Sequence, residues 1–350
     1  MPRDAGLDTA RAVAMLLVVA THAALSFMVT PIGWAIQDRS QHLGVDLGVW
    51  IVRAFAMPTF FWLSGYFSRA VLHAGGLQAF ARNRGWRIAL PLAVALVPCS
   101  LALDALWDWG RAVGLRAAVA DNVPKLKASE LPIELGHLWF LYYLLLLSVA
   151  AVVVTRLVAA RRWMLALPVA MVVCPILWLG ALQPDTPLGF VPDVPIALYA
   201  GGFFAWGWLV HAFPEELARY RRYAGLALAI AALPLAVVCV TLYRGLAAIE
   251  HPPVHAVLAS GAFSLLVVAG FLGLCARQVR PSPLLQLASE ASYWTYIAHL
   301  PLVVLLQILL ARVAVPGPLK LVAIVAATTA LCVGSYAVFR NARRIRSPQR

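Results

Sequence analysis

Long apolar runs, each broken from the next by a short polar stretch, fill almost the whole chain. Ten of them are candidate spans: roughly Leu7–Val29, Val49–Leu72, Arg87–Leu106, Glu134–Val154, Trp163–Leu182, Val194–Phe213, Tyr223–Tyr243, Val254–Ala276, Ser289–Leu310 and Leu319–Arg340. Each holds about 20 residues, enough to cross about 30 Å of hydrocarbon at 1.5 Å per residue. The pattern predicts an all-α, polytopic integral membrane protein with about ten transmembrane helices. It forms one membrane-embedded domain over residues 1–350, with no attached soluble domain, internal repeat or low-complexity segment. Pro and Gly inside several runs fit this reading, because neighbouring helices re-satisfy the backbone groups they free.

Composition agrees. Hydrophobic residues make up 62% and charged residues 12% of the 350, against about 45–50% and about 25% in a soluble domain. The first run has a short basic start, as a signal peptide would. However, Thr21, His22 and Ser26 interrupt it and no small-residue cleavage site follows, so it reads as a retained first helix. The longest loop, roughly Trp107–Ile133, has room for a short amphipathic helix.

The net charge of +13 changes the picture through its distribution. With the N-terminus placed inside, nineteen Arg residues fall on the cytoplasmic side and eight Lys or Arg on the other, and Arg53 lies within a span. The loop Gln183–Asp193 has neither Lys nor Arg. This asymmetry puts both termini in the cytoplasm. The charge suits anionic head groups of membrane lipids or an anionic ligand. Nucleic acid is not a partner, since no basic face or stacking platform is evident. Cys99, Cys174, Cys239, Cys275 and Cys332 lie in or at the ends of apolar runs without close pairs, which suggests neither disulfides nor a metal site.

Ionisable residues within spans are costly and point to function. Arg11 and His22 are eleven residues apart in the first span. At about 100° per residue they share a helix face to within about 20°, and about 16 Å of axis separates them. Arg11 thus sits near the cytoplasmic mouth and His22 past the midplane. The same spacing also suits a snorkelling arginine and a buried histidine bonded to a carbonyl. Asp8, one turn before Arg11, is placed to pair with it and to favour the helix start.

Leu7-Asp8-Thr9-Ala10-Arg11 followed by His22 resembles the opening helix of the acyltransferase family 3 membrane enzymes. Phe60-Phe61-Trp62-Leu63-Ser64-Gly65-Tyr66-Phe67 resembles that family's second-helix motif. Phe80 to Arg84, Arg87-Ile88 and Pro91 resemble the basic motif that follows. His137-Leu138-Trp139-Phe140-Leu141 and Ser292-Tyr293-Trp294-Thr295-Tyr296-Ile297-Ala298-His299 match later patterns, so the likeness spans nearly the whole chain. Arg53-Ala54-Phe55-Ala56-Met57-Pro58 looks closest to the branch that succinylates periplasmic glucans. Thr21 before the histidine and a sparse basic loop depart from the common pattern.

The resemblance implies a bacterial inner-membrane O-acyltransferase. It would move an acyl group, acetyl or succinyl, from acyl-CoA to a hydroxyl of an extracytoplasmic carbohydrate, with no permanently bound cofactor and no metal. His22 would be the general base; an acyl-His intermediate is the other chemical route. Arg11, Arg84 and Arg87 would hold the phosphates of CoA through planar guanidinium donors, beside Arg82; plain positive-inside charge is the alternative. Ser64 and Gly65 would line the pantetheine arm, Gly65 by close backbone approach, or serve helix packing. Arg53 would meet a substrate carboxylate, or pair with Asp46, or snorkel. Tyr296 and His299 would line the acceptor pocket, with a satisfied buried histidine equally open. His137 and Trp139 would stack on sugar or belong to an interfacial aromatic belt. Asp46 and Glu134 are the carboxylates considered for orienting His22. A transporter or flippase of a carbohydrate or lipid-linked substrate is the rival class.

Overall fold

The structure, a computed structural model, describes residues 4–30, 32–113, 133–245, 249–278 and 282–346. Its long helices are α1 (Ala5–Ala24), α2 (Leu43–Arg53), α3 (Ala56–Arg84), α4 (Leu90–Ala112), α5 (Trp139–Leu157), α6 (Leu167–Leu179), α7 (Val194–Ala212), α8 (Glu215–Tyr243), α9 (Val254–Cys275), α10 (Pro283–Ala311) and α11 (Gly317–Arg346). There is no strand among the described residues, and the protein is all-α. Nine helical runs there are long and apolar enough to cross a membrane. One of them, Leu43–Ala112, is 70 residues long and contains both the second and third spans read from the sequence. The amphipathic helix considered for the longest loop falls largely outside the described residues.

Two compact units divide the chain. The first comprises Met1–Arg53, Leu101–Leu126 and Val279–Arg350, and the second Ala54–Ser100 and Lys127–Gln278. In the first, α1 packs against α2, α10 and α11. Asp4 caps α1 by accepting the amides of Gly6 at 2.9 Å and Leu7 at 3.1 Å, which satisfies two of the four donors a helix start leaves orphaned. Leu7, Ala10, Ala14 and Val18 then bury one stripe at helical spacing.

The second span read from the sequence is broken. α2 ends at Arg53 and α3 begins at Ala56. Pro58 has no N–H to give to the carbonyl of Ala54, and its ring clashes there, so a helix running through would fail at that point. Placed in the first turn of α3 instead, Pro58 costs nothing. α3 runs on to Arg84, past the expected Leu72, with a kink at Gly76 where φ is 67°. A π-helical turn over Gly85–Ala89 joins it to α4.

The second unit is built on close helix crossings. A Cβ on Gly65 of α3 would meet the carbonyl oxygen of Phe204 in α7 at 1.9 Å, and one on Gly207 of α7 would meet that of Trp62 in α3 at 1.9 Å. Each glycine receives the other helix's backbone, the small-residue packing by which helices associate in lipid. Trp62 is fully buried beside this crossing. Gly65→Ala is therefore expected to cost at least about 1–3 kcal/mol of stability through overpacking. Thermal unfolding in detergent reads this out. An alanine variant as stable as the parent would contradict the crossing.

Candidate active site around His22

His22 lies in the last turn of α1 and is half-buried. Its neighbours in the first unit define its protonation pattern. His299 of α10 is completely buried, and its Nδ1 sits 3.0 Å from the carbonyl of Thr295 and 2.7 Å from that of Tyr296. Carbonyls only accept, so Nδ1 carries the proton, and neutral His299 keeps its lone pair on Nε2. That Nε2 is 3.2 Å from Nδ1 of His22. Nδ1 of His22 also faces the carbonyl of Val18 at 3.0 Å. Both neighbours accept, so Nδ1 of His22 is the donor, and its lone pair resides on Nε2. Nε2 has no hydrogen-bond partner among the described residues. The network thus fixes both tautomers and presents one basic nitrogen.

Gln307 holds the end of α1. Its Nε2 donates to the carbonyls of His22 and Ala23, both at 3.0 Å, and the His22 carbonyl also accepts from the Leu25 amide. Its Oε1 accepts from Nε1 of Trp34 at 2.9 Å. Trp34 thereby stands 6.1 Å from the His22 ring, centroid to centroid, with Trp107 5.1 Å beyond it and nearly perpendicular. Trp34 lies on the connection between α1 and α2, which is itself tied down. Asp38 donates its amide to the carbonyl of Ser26, and its carboxylate meets Lys320 of α11 at 2.7 Å. Both of those side chains are about 5% exposed or less.

Arg11 pairs with Asp8, as the spacing indicated, at 3.4 Å. Nη1 also reaches the hydroxyl of Ser289 at 3.4 Å, and that hydroxyl donates to Asp8 at 3.0 Å. A part-exposed pair this long is itself worth about 0–1 kcal/mol.

Of the carboxylates considered for orienting His22, Asp46 accepts the amides of Val29 and Thr30, both at 2.8 Å, and so secures the chain after α1. His299 occupies the orienting position. Arg53 is exposed at the end of α2. Tyr296 is buried with its ring 6.0 Å from that of His299.

In the second unit, Ser64 is half-buried on α3, and Gly65 serves the packing alternative, its open side filled by α7. Arg84 is half-buried over the ring of Phe80 at 5.2 Å. Arg82 and Arg87 are exposed, Arg87 within the π turn. His137 is buried, not set in an exposed belt. Trp139 joins an internal aromatic group with Phe61 and Tyr143, at 5.9 Å and 5.6 Å. Tyr143 is fully buried, and its hydroxyl accepts the amide of Asp193 at 2.9 Å. Among the described residues no group of three or more His, Cys, Asp or Glu is arranged to hold a metal ion.

Gln307, Trp34 and the Lys320–Asp38 pair were missed in the sequence. A lone amide inside an apolar run was the available signal for Gln307. Nothing local marks Lys320, 282 residues from its partner.

The acyltransferase-domain family matches residues 4–337, nearly the whole chain. The chain belongs to acyltransferase family 3. Similar curated proteins are the glucans biosynthesis protein C of Salmonella paratyphi B, Salmonella heidelberg and Salmonella schwarzengrund. Each is 29% identical over 156 residues, which is 43% of this chain and 38% of the relative. The matched segment therefore spans well under half the length of those relatives. No solved structure matches. The family is one of acyltransferases, and the long apolar helices suit a multi-pass membrane protein.

The buried Lys320–Asp38 pair yields a stability test. Lys320→Met leaves a buried carboxylate unpaired and is expected to cost about 3–5 kcal/mol. Adding Asp38→Leu should recover most of it, since the pair's net worth is small. Melting temperatures of the single and double variants check this. A double variant no more stable than the single would count against the pair as the cause.

Proposed function

We propose that this acyltransferase moves an acetyl or succinyl group from acyl-CoA to a hydroxyl of an extracytoplasmic carbohydrate, with Nε2 of His22 as general base. The observation that carries the reading is the His22–His299 pair, because it leaves a neutral imidazole with its lone pair unspent. Glucan biosynthesis in the names of the similar proteins supports a carbohydrate acceptor.

The step runs as follows. Nε2 of His22 takes the proton of the acceptor hydroxyl as its oxygen attacks the thioester carbonyl. The new C–O bond forms, the C–S bond breaks, and the proton passes from His22 to the departing thiolate. During attack His22 is an imidazolium whose Nδ1–H stays bonded to Val18 and His299, so His299 acts as a positioning residue. Arg11, Arg84 and Arg87 hold donor phosphates. Tyr296 lies on the acceptor side of this reading, as do Arg53, His137 and Trp139. The basic asymmetry supports both termini in the cytoplasm, and family membership supports a bacterial inner membrane.

His22→Ala is expected to keep the fold and donor binding while losing about 10²–10⁴-fold in rate. His299→Leu should slow transfer less, and His299→Gln should recover part of that loss, because its amide oxygen can accept from Nδ1. Arg84→Ala and Arg87→Ala should raise KM for acyl-CoA with kcat nearly kept. Donor binding and single-turnover transfer on the same purified preparations decide all of this. Undiminished turnover in folded His22→Ala would sink the base assignment.

For topology, reporters fused after Asp185 and after Arg346 should report opposite sides. The same side for both would break the assignment.

A further inference from the structure

A second feature, separate from the His22 site, lies wholly within the second unit. Between α3, α5 and α7 is a cleft of about 350 Å³, within the size range of small-ligand sites. Its walls are amphipathic. Leu72, Val158, Trp208 and Phe213 give the apolar part, and Arg69 with His73, one turn further along α3, gives the polar part.

The electrostatics leave one charge uncompensated. Arg69 is half-buried with its guanidinium 5.8 Å from the centre of the Trp208 ring, and it has no carboxylate partner among the described residues. The acids at the start of α8 are already engaged. Glu215 bonds Arg162, and Glu216 bonds Arg219 at 2.8 Å. Arg156 and Arg161 stand exposed on α5 and the loop after it. The C-terminal ends of α5 and α7 oppose an anion with about half a charge each, and the full charge of Arg69 stands in the cleft wall against them.

The surroundings identify the ligand's other half. Val153, Val154 and Leu157 of α5 are 53%, 50% and 78% exposed. They form an apolar face at the end of a candidate span and beside the cleft. A ligand with its phosphate on Arg69 has a path for hydrocarbon along that face. Basic pockets between helices at a membrane surface recognise anionic head groups in this way.

We propose that this cleft binds the phosphate of an anionic phospholipid, with Arg69 as its principal cation. The site goes beyond the acyl-transfer reading and does not depend on it.

Native mass spectrometry of the whole purified protein in detergent tests the proposal with three probes: phosphatidylglycerol, phosphatidylcholine of the same chain length, and CoA. Wild type should retain phosphatidylglycerol in preference to phosphatidylcholine, a comparison that needs no variant. Arg69→Gln should weaken phosphatidylglycerol binding about fivefold, the worth of one basic residue at an anionic surface, and Arg69→Lys should keep most of it. Equal retention of the two lipids by wild type, or unchanged binding by folded Arg69→Gln, would overturn the proposal. CoA that displaces phosphatidylglycerol only when Arg69 is present would assign the cleft to the acyl donor and overturn the lipid reading.

Discussion

What surrounds His22 depends on how the end of α1 is satisfied. In an apolar medium no water completes the carbonyls that a helix end leaves open, and each one left bare costs free energy. The His22 carbonyl accepts from the Leu25 amide, and the Gln307 amide adds a second donor to it and one to the Ala23 carbonyl. This ties α10 to α1 at that level, and α10 also carries His299 on its buried side. The same pair of helices holds the two imidazoles at hydrogen-bond distance. Through its other atom Gln307 also anchors Trp34, so one residue couples the helix end that carries the His22 ring and the aromatic side chain next to it.

Two devices hold the helices. In the second unit α3 and α7 approach through facing glycines at Gly65 and Gly207, where dispersion and close backbone contact replace a hydrophobic drive that lipid cannot supply. Around α1 the first unit adds polar ties: Asp8 with Ser289 and Arg11, Asp38 with Lys320, Asp46 with two amides, and Glu290 with Arg340 at 2.7 Å. Polar ties specify geometry where small residues specify only distance.

Helix number and class were legible because span length is a property of the bilayer, and apolar runs report it directly. The Arg11–His22 spacing and the Asp8–Arg11 pair were legible because helical periodicity is local. The break at Ala54–Phe55 was hidden by continuous hydropathy, although Pro58 carried the signal: its missing donor falls on Ala54. The role of Gly65 was open from sequence, since a glycine that admits a ligand and one that admits a helix look alike until Phe204 is seen against it. His299 was picked out as polar within a span, but its partner is 277 residues away, and no periodicity spans that distance. His137 and Trp139 at a span end suited either stacking on sugar or an interfacial belt, and the sequence had no means to show that His137 is buried and that Trp139 packs against Phe61 and Tyr143.

The choice of a second imidazole to orient the first has a physical logic in this medium. A carboxylate in that place would be an ion throughout the cycle, and a buried ion without a matched partner costs several kcal/mol even after relaxation. In the first unit the carboxylates of Asp8, Asp38 and Asp46 are engaged with cations, hydroxyls or amides. Neutral His299 carries no such penalty at rest. Its Nδ1 proton is committed to the Thr295 and Tyr296 carbonyls, so its lone pair has one direction to point, toward Nδ1 of His22. In the proposed mechanism charge appears only when His22 takes the acceptor's proton, and two acceptors, His299 Nε2 and the Val18 carbonyl, already face its Nδ1. On that reading the stabilisation is stronger in the transition state than in the ground state, which is the condition for it to raise the rate and not merely tighten binding.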